Sequence, residues 1–304
     1  MTATDIYRGS SNVLLPAEVS QEIWGKILEE SAFMQLARRI AMPGAGVDVQ
    51  TITGEPAANW VDETESKPVA THSFGKKVIR PFKLAVIEPF SNEFRRDKAA
   101  LYAECVRRLP YALAKKFDQT IIGTSAPGTG FDVLGSCQKI SLNPGAGETV
   151  YGQFVAVDAA IAAADGIMNG IALAPQGKSK VIAAVDGQGR PLFTAGVGAG
   201  SLGNILGAPV AIKKGVYKAG TADAAAIVGV AGDFDDAVWG SVEGIQMAIS
   251  DQATLTLADS STINLWQHNM FAVRVEIEVA FAVKNADEFI LLTGDTATTT
   301  TTGA

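Results

Sequence analysis

Only two of the 304 residues are cysteine, Cys105 and Cys137, and neither sits in a CxxC or Cys/His spacing. That excludes a disulfide framework and a thiolate zinc site, and makes a reducing compartment the simpler setting. Histidine is equally scarce: His72 and His268 lie far apart, and no HExxH pair, GxSxG elbow or GxxxxGK[ST] loop occurs. Neither a catalytic constellation nor a metal site is expected, and no cofactor. No apolar run reaches the roughly 18 residues of a spanning helix, and the first residues lack the basic-then-apolar order of a secretory signal. No membrane partner is expected, and none of the nine asparagines opens a glycosylation sequon.

Charge is short as well. Charged residues make up 19% of the chain, against roughly 25% in an average soluble domain. Hydrophobic residues reach 47% while aromatics are only 7%, so the apolar weight is aliphatic and Ala-rich. A chain of this length suits about two domains with a sizeable core. Its uncharged surface is what coverage by partner subunits would require.

The charge that is present is sorted. The overall net charge is −7, yet residues 67–116 hold twelve basic residues against four acidic ones, a net of +8, leaving −15 for the rest. Just upstream, residues 40–66 carry Asp48, Glu55, Asp62, Glu63 and Glu65 and no basic residue. Such segregation is the sequence form of complementarity between subunits or with a polyanion; a solvated positive face is the plainer alternative.

Periodicity supplies the elements. Residues 16–40 predict an amphipathic helix, with Pro16 in its first turn and Val19, Ile23 and Ile27 four apart, stopped by Pro43-Gly44. Residues 46–88 predict an extended two-stranded excursion outside the core sheet, its second limb carrying Lys and Pro as projecting strands do. Residues 97–122 predict a long helix bent at Pro110, with Tyr102, Val106, Leu109, Leu113 and Phe117 on one stripe. Glu104, Arg107, Arg108, Lys115 and Asp118 fall on its opposite side. Beyond residue 150 come helices at 152–164 and 179–185, a loop at 187–207, and strands at 171–174, 209–213, 225–231, 237–242, 245–250, 271–283 and 289–292. The tail from Thr296 is low-complexity and reads as disordered.

Three motifs carry a plain structural reading. Gly198-Ala-Gly-Ser-Leu-Gly203 matches GxGxxG but lacks the preceding strand and following helix that a dinucleotide site needs, so a surface loop is the better reading. Gly232-Asp-Phe-Asp-Asp236 gathers three carboxylates without calcium-loop spacing and reads as a turn between strands. Cys105, near the apolar stripe of the long helix, reads as a small core residue, and His72, between Thr71 and Ser73, as an exposed side chain.

Two blocks in this order resemble a known family. The first is Ala57-Ala-Asn-Trp-Val-Asp-Glu63, Lys67-Pro68 and Phe74, then Lys83-Leu-Ala-Val-Ile-Glu-Pro-Phe-Ser91-Asn-Glu93, with Asp97 opening the long helix. The second is Gly232-Asp-Phe234, Val238, Gly244-Ile-Gln-Met-Ala-Ile-Ser250 and Phe271-Ala-Val-Arg274-Val-Glu-Ile-Glu-Val-Ala280-Phe281. Together they resemble the major capsid proteins of tailed bacteriophages with the HK97-type fold, across roughly residues 16–293. The resemblance implies an α+β fold with an N-terminal arm and helix (1–45), an extended hairpin loop (46–90), a peripheral domain opening with a spine helix (91–149), and a mixed α/β axial domain (150–250). Peripheral return strands (251–293) and a tail (294–304) complete it.

It also implies a structural, non-enzymatic subunit of an icosahedral virion shell enclosing double-stranded DNA, assembled in the host cytoplasm from hexamers and pentamers. Scaffold, portal and decoration proteins are its implied partners. On this reading Asp62, Glu63, Glu65, Lys67, Lys76, Lys77, Arg80 and Lys83 make inter-subunit contacts, while Arg107, Arg108 and Lys115 face inward to packaged DNA without sequence preference. Some relatives cross-link a loop lysine to an asparagine; Lys67, Lys76 or Lys77 with Asn269 or Asn285 would be the residues to draw on. An encapsulin-like nanocompartment shares the fold and stays open, as does, in a different class, a nucleotide-binding enzyme built around Gly198–Gly203.

Overall fold

A computed structural model describes residues 27, 30–52, 60–61, 67, 69, 74–145, 148–185, 190, 203–257 and 259–296, the backbone alone being described at 51–52, 74, 99–104 and 296. In chain order a short helix α1 (Ala32–Leu36) leads into β1 (Arg38–Ala41), the hairpin β2 (Val47–Ile52) and β3 (Phe74–Ile79), and the long strand β4 (Phe82–Ser91). Helices α2 (Asn92–Asp97) and α3 (Ala99–Ile121), β5 (Lys139–Ser141), α4 (Val150–Ala163), β6 (Gly170–Leu173) and α5 (Pro175–Ile182) follow. The remainder is almost all strand: β7 (Asn204–Ile205), β8 (Ala208–Ile212), β9 (Ala225–Gly232), β10 (Ala237–Ser241), β11 (Gln246–Ser250), β12 (Thr254–Thr256), β13 (Thr262–Asn264), β14 (Met270–Val283) and β15 (Phe289–Thr296).

The organising element is β14. Arg274, Glu276 and Glu278 alternate with buried Val273, Val275, Ile277 and Val279. A period of two places the charges on one face and the apolar side chains on the other, which fixes the register of any partner strand. β14 is flanked by β10, β11 and β4, and its antiparallel ladder with β4 runs from Met270↔Ser91 to Val279↔Phe82. β1 adds a parallel edge beside β10.

Across the apolar face lies α3, whose 23 residues span about 35 Å at 1.5 Å per residue. Leu109, Leu113, Phe117 and Ile121 recur every four residues and are all buried in the main core. Pro110 lies inside this helix as expected.

A second sheet has the order β5-β15-β9-β6-β8-β7 and shares its own core with α4 and α5. The two sheets meet at α1, where Phe33 lies 6.0 Å from Phe234 and 5.6 Å from Phe281, ring centre to ring centre.

Several expectations are corrected. Most of the helix predicted at 16–40 lies outside the described residues, and its end is not helical: Arg38–Ala41 is strand β1. Ser31 caps a new helix start by accepting from the Met34 N–H, and the Arg38–Ala41 backbone is used by β10. The excursion predicted at 46–88 is shorter, because β4 is a core strand ten residues long; its inward Leu84, Val86 and Phe90 pack on the main core. Asp118 is not on the polar face of α3 but fully buried. Within the loop predicted at 187–207, Asn204–Ile205 pairs with β8, and the last strand continues to Thr296. Residues 297–304 lie outside the described residues.

Candidate functional site

The hairpin β2–β3 is held at its base. Buried Ile79 packs with Val47, Val49, Met42, Ala280 and Ala282, a small cluster separate from the main core. Gly130, at φ +95°, accepts the Arg80 N–H at 2.9 Å and has the Arg80 side-chain stem against its missing Cβ. Past this base the described residues include Trp60, fully exposed, and Val69, at 92%. An indole wholly in water is what an unmet contact looks like.

The expected contact charges divide into two groups. Asp62, Glu63 and Glu65 lie outside the described residues, and Lys67 is exposed. Three basic residues find acids in their own chain: Lys76 pairs with Asp48 at 2.7 Å, Lys77 with Asp132 at 2.6 Å and Lys83 with Glu278 at 3.1 Å. Lys77 has a role within its own subunit. Its Nζ also donates to the Val283 carbonyl, and Asp132 accepts the Val283 N–H at 2.9 Å, so the lysine ties the hairpin to the end of β14. Lys83 belongs to the core sheet and lines a shallow cleft of about 370 Å³ with Glu243, Glu276 and Glu278.

On α3, Arg107, Arg108 and Lys115 are exposed, opposite the buried stripe, as expected; Tyr102 and Glu104 are among the residues described by backbone alone. Asp118 escaped sequence reasoning, since a carboxylate beside two lysines reads as solvated. Its Oδ1 accepts the Ser31 hydroxyl at 2.6 Å and its Oδ2 the Ala32 N–H at 3.0 Å. Burial pushes its pKa up to about 7, against the pull of those bonds.

The remaining motifs are structural. At the Gly232-Asp-Phe turn, Asp233 accepts from the Ile167 N–H at 3.1 Å and the Asn169 amide at 2.7 Å, while Phe234 is buried against Phe289. A Cβ on Gly232 would come 2.5 Å from the Phe289 ring, so glycine is required there. Asp236 accepts from Lys284 at 3.0 Å, which holds that ammonium pKa above its usual value.

Gly203, at φ +67°, leads into strand β7 rather than a helix; residues 198–202 lie outside the described residues. Burial, with Asp287 nearby, pushes the Cys137 thiol up to about 11, and Cys105 packs partly buried on the main core. His72 lies outside the described residues and His268 is exposed. The Asn269 amide engages Glu93 and Asn92, and Asn285 caps the 286–288 turn. Among the described residues no group of three His, Cys, Asp or Glu side chains is placed to hold a metal ion.

A long helix laid across a sheet built on one 14-residue strand, a separate two-stranded hairpin and a six-stranded second sheet define a class: the α+β capsid fold. Solved structures from Mycobacterium phage Adephagia (TM-score 0.70, 19% identity, covering 88% of this chain and 91% of that one) and Gordonia phage Cozz (TM-score 0.69, 19%, 98% and 99%) share it. So does the capsid of an empty GTA particle, at TM-score 0.62 and 15% identity over 87% and 90% of the two chains.

The phage capsid family model matches residues 11–294. The chain is 32% identical over 93% of its length to the probable major capsid protein gp17 of Mycobacterium phage L5, covering 90% of that protein. To the major capsid protein of Staphylococcus phage 80alpha it is 24% identical, covering 90% of this chain and 83% of that one. This chain belongs to the phage capsid family, and its role is that of a structural capsid protein.

Proposed function

We propose that the chain is the major building block of an icosahedral virion shell, self-assembling into hexamers and pentamers around double-stranded DNA in the host cytoplasm, and not an enzyme. The observation that carries this is the arm. This chain of the capsid family anchors the hairpin β2–β3 on a small cluster of its own and leaves Trp60, in the segment that joins the two strands, fully in water. A two-stranded ribbon with so little core of its own is stabilised by laying that surface on a neighbour. Lys67 and the acidic Asp62, Glu63 and Glu65 then contribute at its tip, Lys76, Lys77 and Arg80 along its limb, and Lys83 from the adjoining core strand. The same reading turns Arg107, Arg108 and Lys115 towards packaged DNA, in contacts weakened by salt, and gives the shell scaffold, portal and decoration partners.

Strand membership supports a division into a peripheral unit built on β14 with α3 and an axial unit built on the six-stranded sheet. β10 and β11 belong to the first and β15 to the second. The boundaries therefore interleave along the chain instead of following at residues 150, 250 and 293.

Expression of the full chain, with a scaffold protein where one is needed, is expected to give megadalton shells by sedimentation and negative-stain microscopy. Trp60→Glu is expected to abolish them while leaving a folded subunit. Wild-type protein that stays a small oligomer, or Trp60→Glu shells at normal yield, overturns the reading.

A further inference from the structure

A carboxylate buried in the heart of the fold sits where three separate pieces of chain meet. Asp118 is fully buried on α3. From the start of α1 it receives the Ser31 hydroxyl at 2.6 Å and the Ala32 N–H at 3.0 Å. Ser31 simultaneously accepts from the Met34 N–H at 3.2 Å, so one hydroxyl links the first turn of α1 to the long helix.

On the third side lies the 3-10 turn Lys214–Val216. A Cβ on Gly215 would stand 2.7 Å from Asp118 Oδ2, so only glycine lets that backbone close over the carboxylate. No ion pair within 4 Å to Asp118 is formed among the described residues. The charged groups around the site are Lys213, half-buried at the entry to that turn, with Lys214, Lys115 and Lys116 exposed. Glu30, half-exposed, is the neighbouring acid on the α1 side.

What this carboxylate holds in place is a wedge. α1 inserts Phe33 between Phe234 of the axial sheet's turn and Phe281 of β14, and Ala32, Phe33 and Met34 are all buried. Detaching residues 31–37 would therefore open the seam between the two sheets and bring Asp118 into water.

We propose that Ser31, Asp118 and Gly215 form a proton-controlled latch that sets how tightly the α1 wedge closes the seam between the two sheets. The sign follows from linkage. Burial raises the docked pKa to about 7, whereas an undocked, hydrated aspartate titrates near 4. The docked form thus retains a proton that the undocked form releases. Docking has its full strength below about pH 4, weakens by up to tenfold in equilibrium constant per pH unit as pH rises, and levels off above about 7.

Hydrogen exchange of the full-length chain, with intrinsic rates corrected for pH, tests this on peptides covering residues 31–37. Between pH 5 and 7 the wild-type opening constant is expected to rise by about 10- to 100-fold, then stay flat to pH 8.5. Asp118→Asn keeps an acceptor oxygen without a titratable proton and is expected to flatten the profile. Ser31→Ala removes a donor to the charged form, so it is expected to move the levelling-off to higher pH. A flat wild-type profile overturns the latch, and so does a slope unchanged in Asp118→Asn. If Asp118→Asn does not fold, an unshifted levelling-off in Ser31→Ala overturns it equally.

Discussion

Two antiparallel pairs in this molecule are built from similar residues and have different fates. β2–β3 and β4–β14 both mix apolar with charged side chains, and both carry a lysine–carboxylate pair across the ladder, Lys76–Asp48 in one and Lys83–Glu278 in the other. β4–β14 puts its apolar side chains onto α3, while the described side chains of β2–β3 pack on the small Ile79 cluster at its base. Burial of a face, not pairing of charges, separates a core ladder from an arm. At roughly 25 cal/mol per Å² of apolar surface, a few buried Val and Ile side chains outweigh any exposed ion pair.

Substitutions can break that contrast, in falling order of their effect on the subunit. Phe281→Ala removes a ring packed on Phe33, Phe117 and Phe131. It is expected to cost about 3–5 kcal/mol, read as a lower denaturant midpoint of the whole subunit.

Lys77→Met keeps the stem but leaves Asp132 and the Val283 carbonyl without their ammonium. The expected loss is about 1–2 kcal/mol, with faster hydrogen exchange in β2–β3 than in β4–β14. Equal acceleration in both pairs would show that the arm has no separate anchor.

Lys76→Ala cuts an ion pair whose side chains are 62% and 54% exposed. It is expected to change stability by less than about 0.5 kcal/mol, a difference vanishing in high salt. A larger effect would mean that the arm is stabilised by its own charges. Trp60→Glu, at the end of this series, leaves subunit stability unchanged and removes only assembly.

The contrast also explains what the chain's one-dimensional pattern conveyed. Spacings of two along 270–283 and of four along 109–121 belong to neighbouring residues, so β14, α3 and the inward faces of both were legible. So were the strand character of β2–β3 and the turn at Gly232-Asp-Phe234. β4 was misplaced because its lysine and proline look like those of the arm; only β14, about 190 residues away, supplies the ladder and α3 the cover. The intrachain partner of Lys77 was hidden for the same reason, since Asp132 is distant in sequence.

Asp118 marks the limit most sharply. Lys115, Lys116 and Asp118 have the composition of a solvated helix face, and the first two are exposed. α1 and the 214–216 turn close over the third from opposite directions along the chain, 87 residues before it and about a hundred after. Periodicity was enough for the long helix, the long strand near the end of the chain and the paired strands of the hairpin, because these follow from side chains a few residues apart; the class of fold came from the resemblance of two residue blocks to a known family. Which charges are buried, which are paired within the subunit and which remain for a neighbour depended on segments brought together by folding, since desolvation and ion pairing act over ångströms of space and not along the sequence.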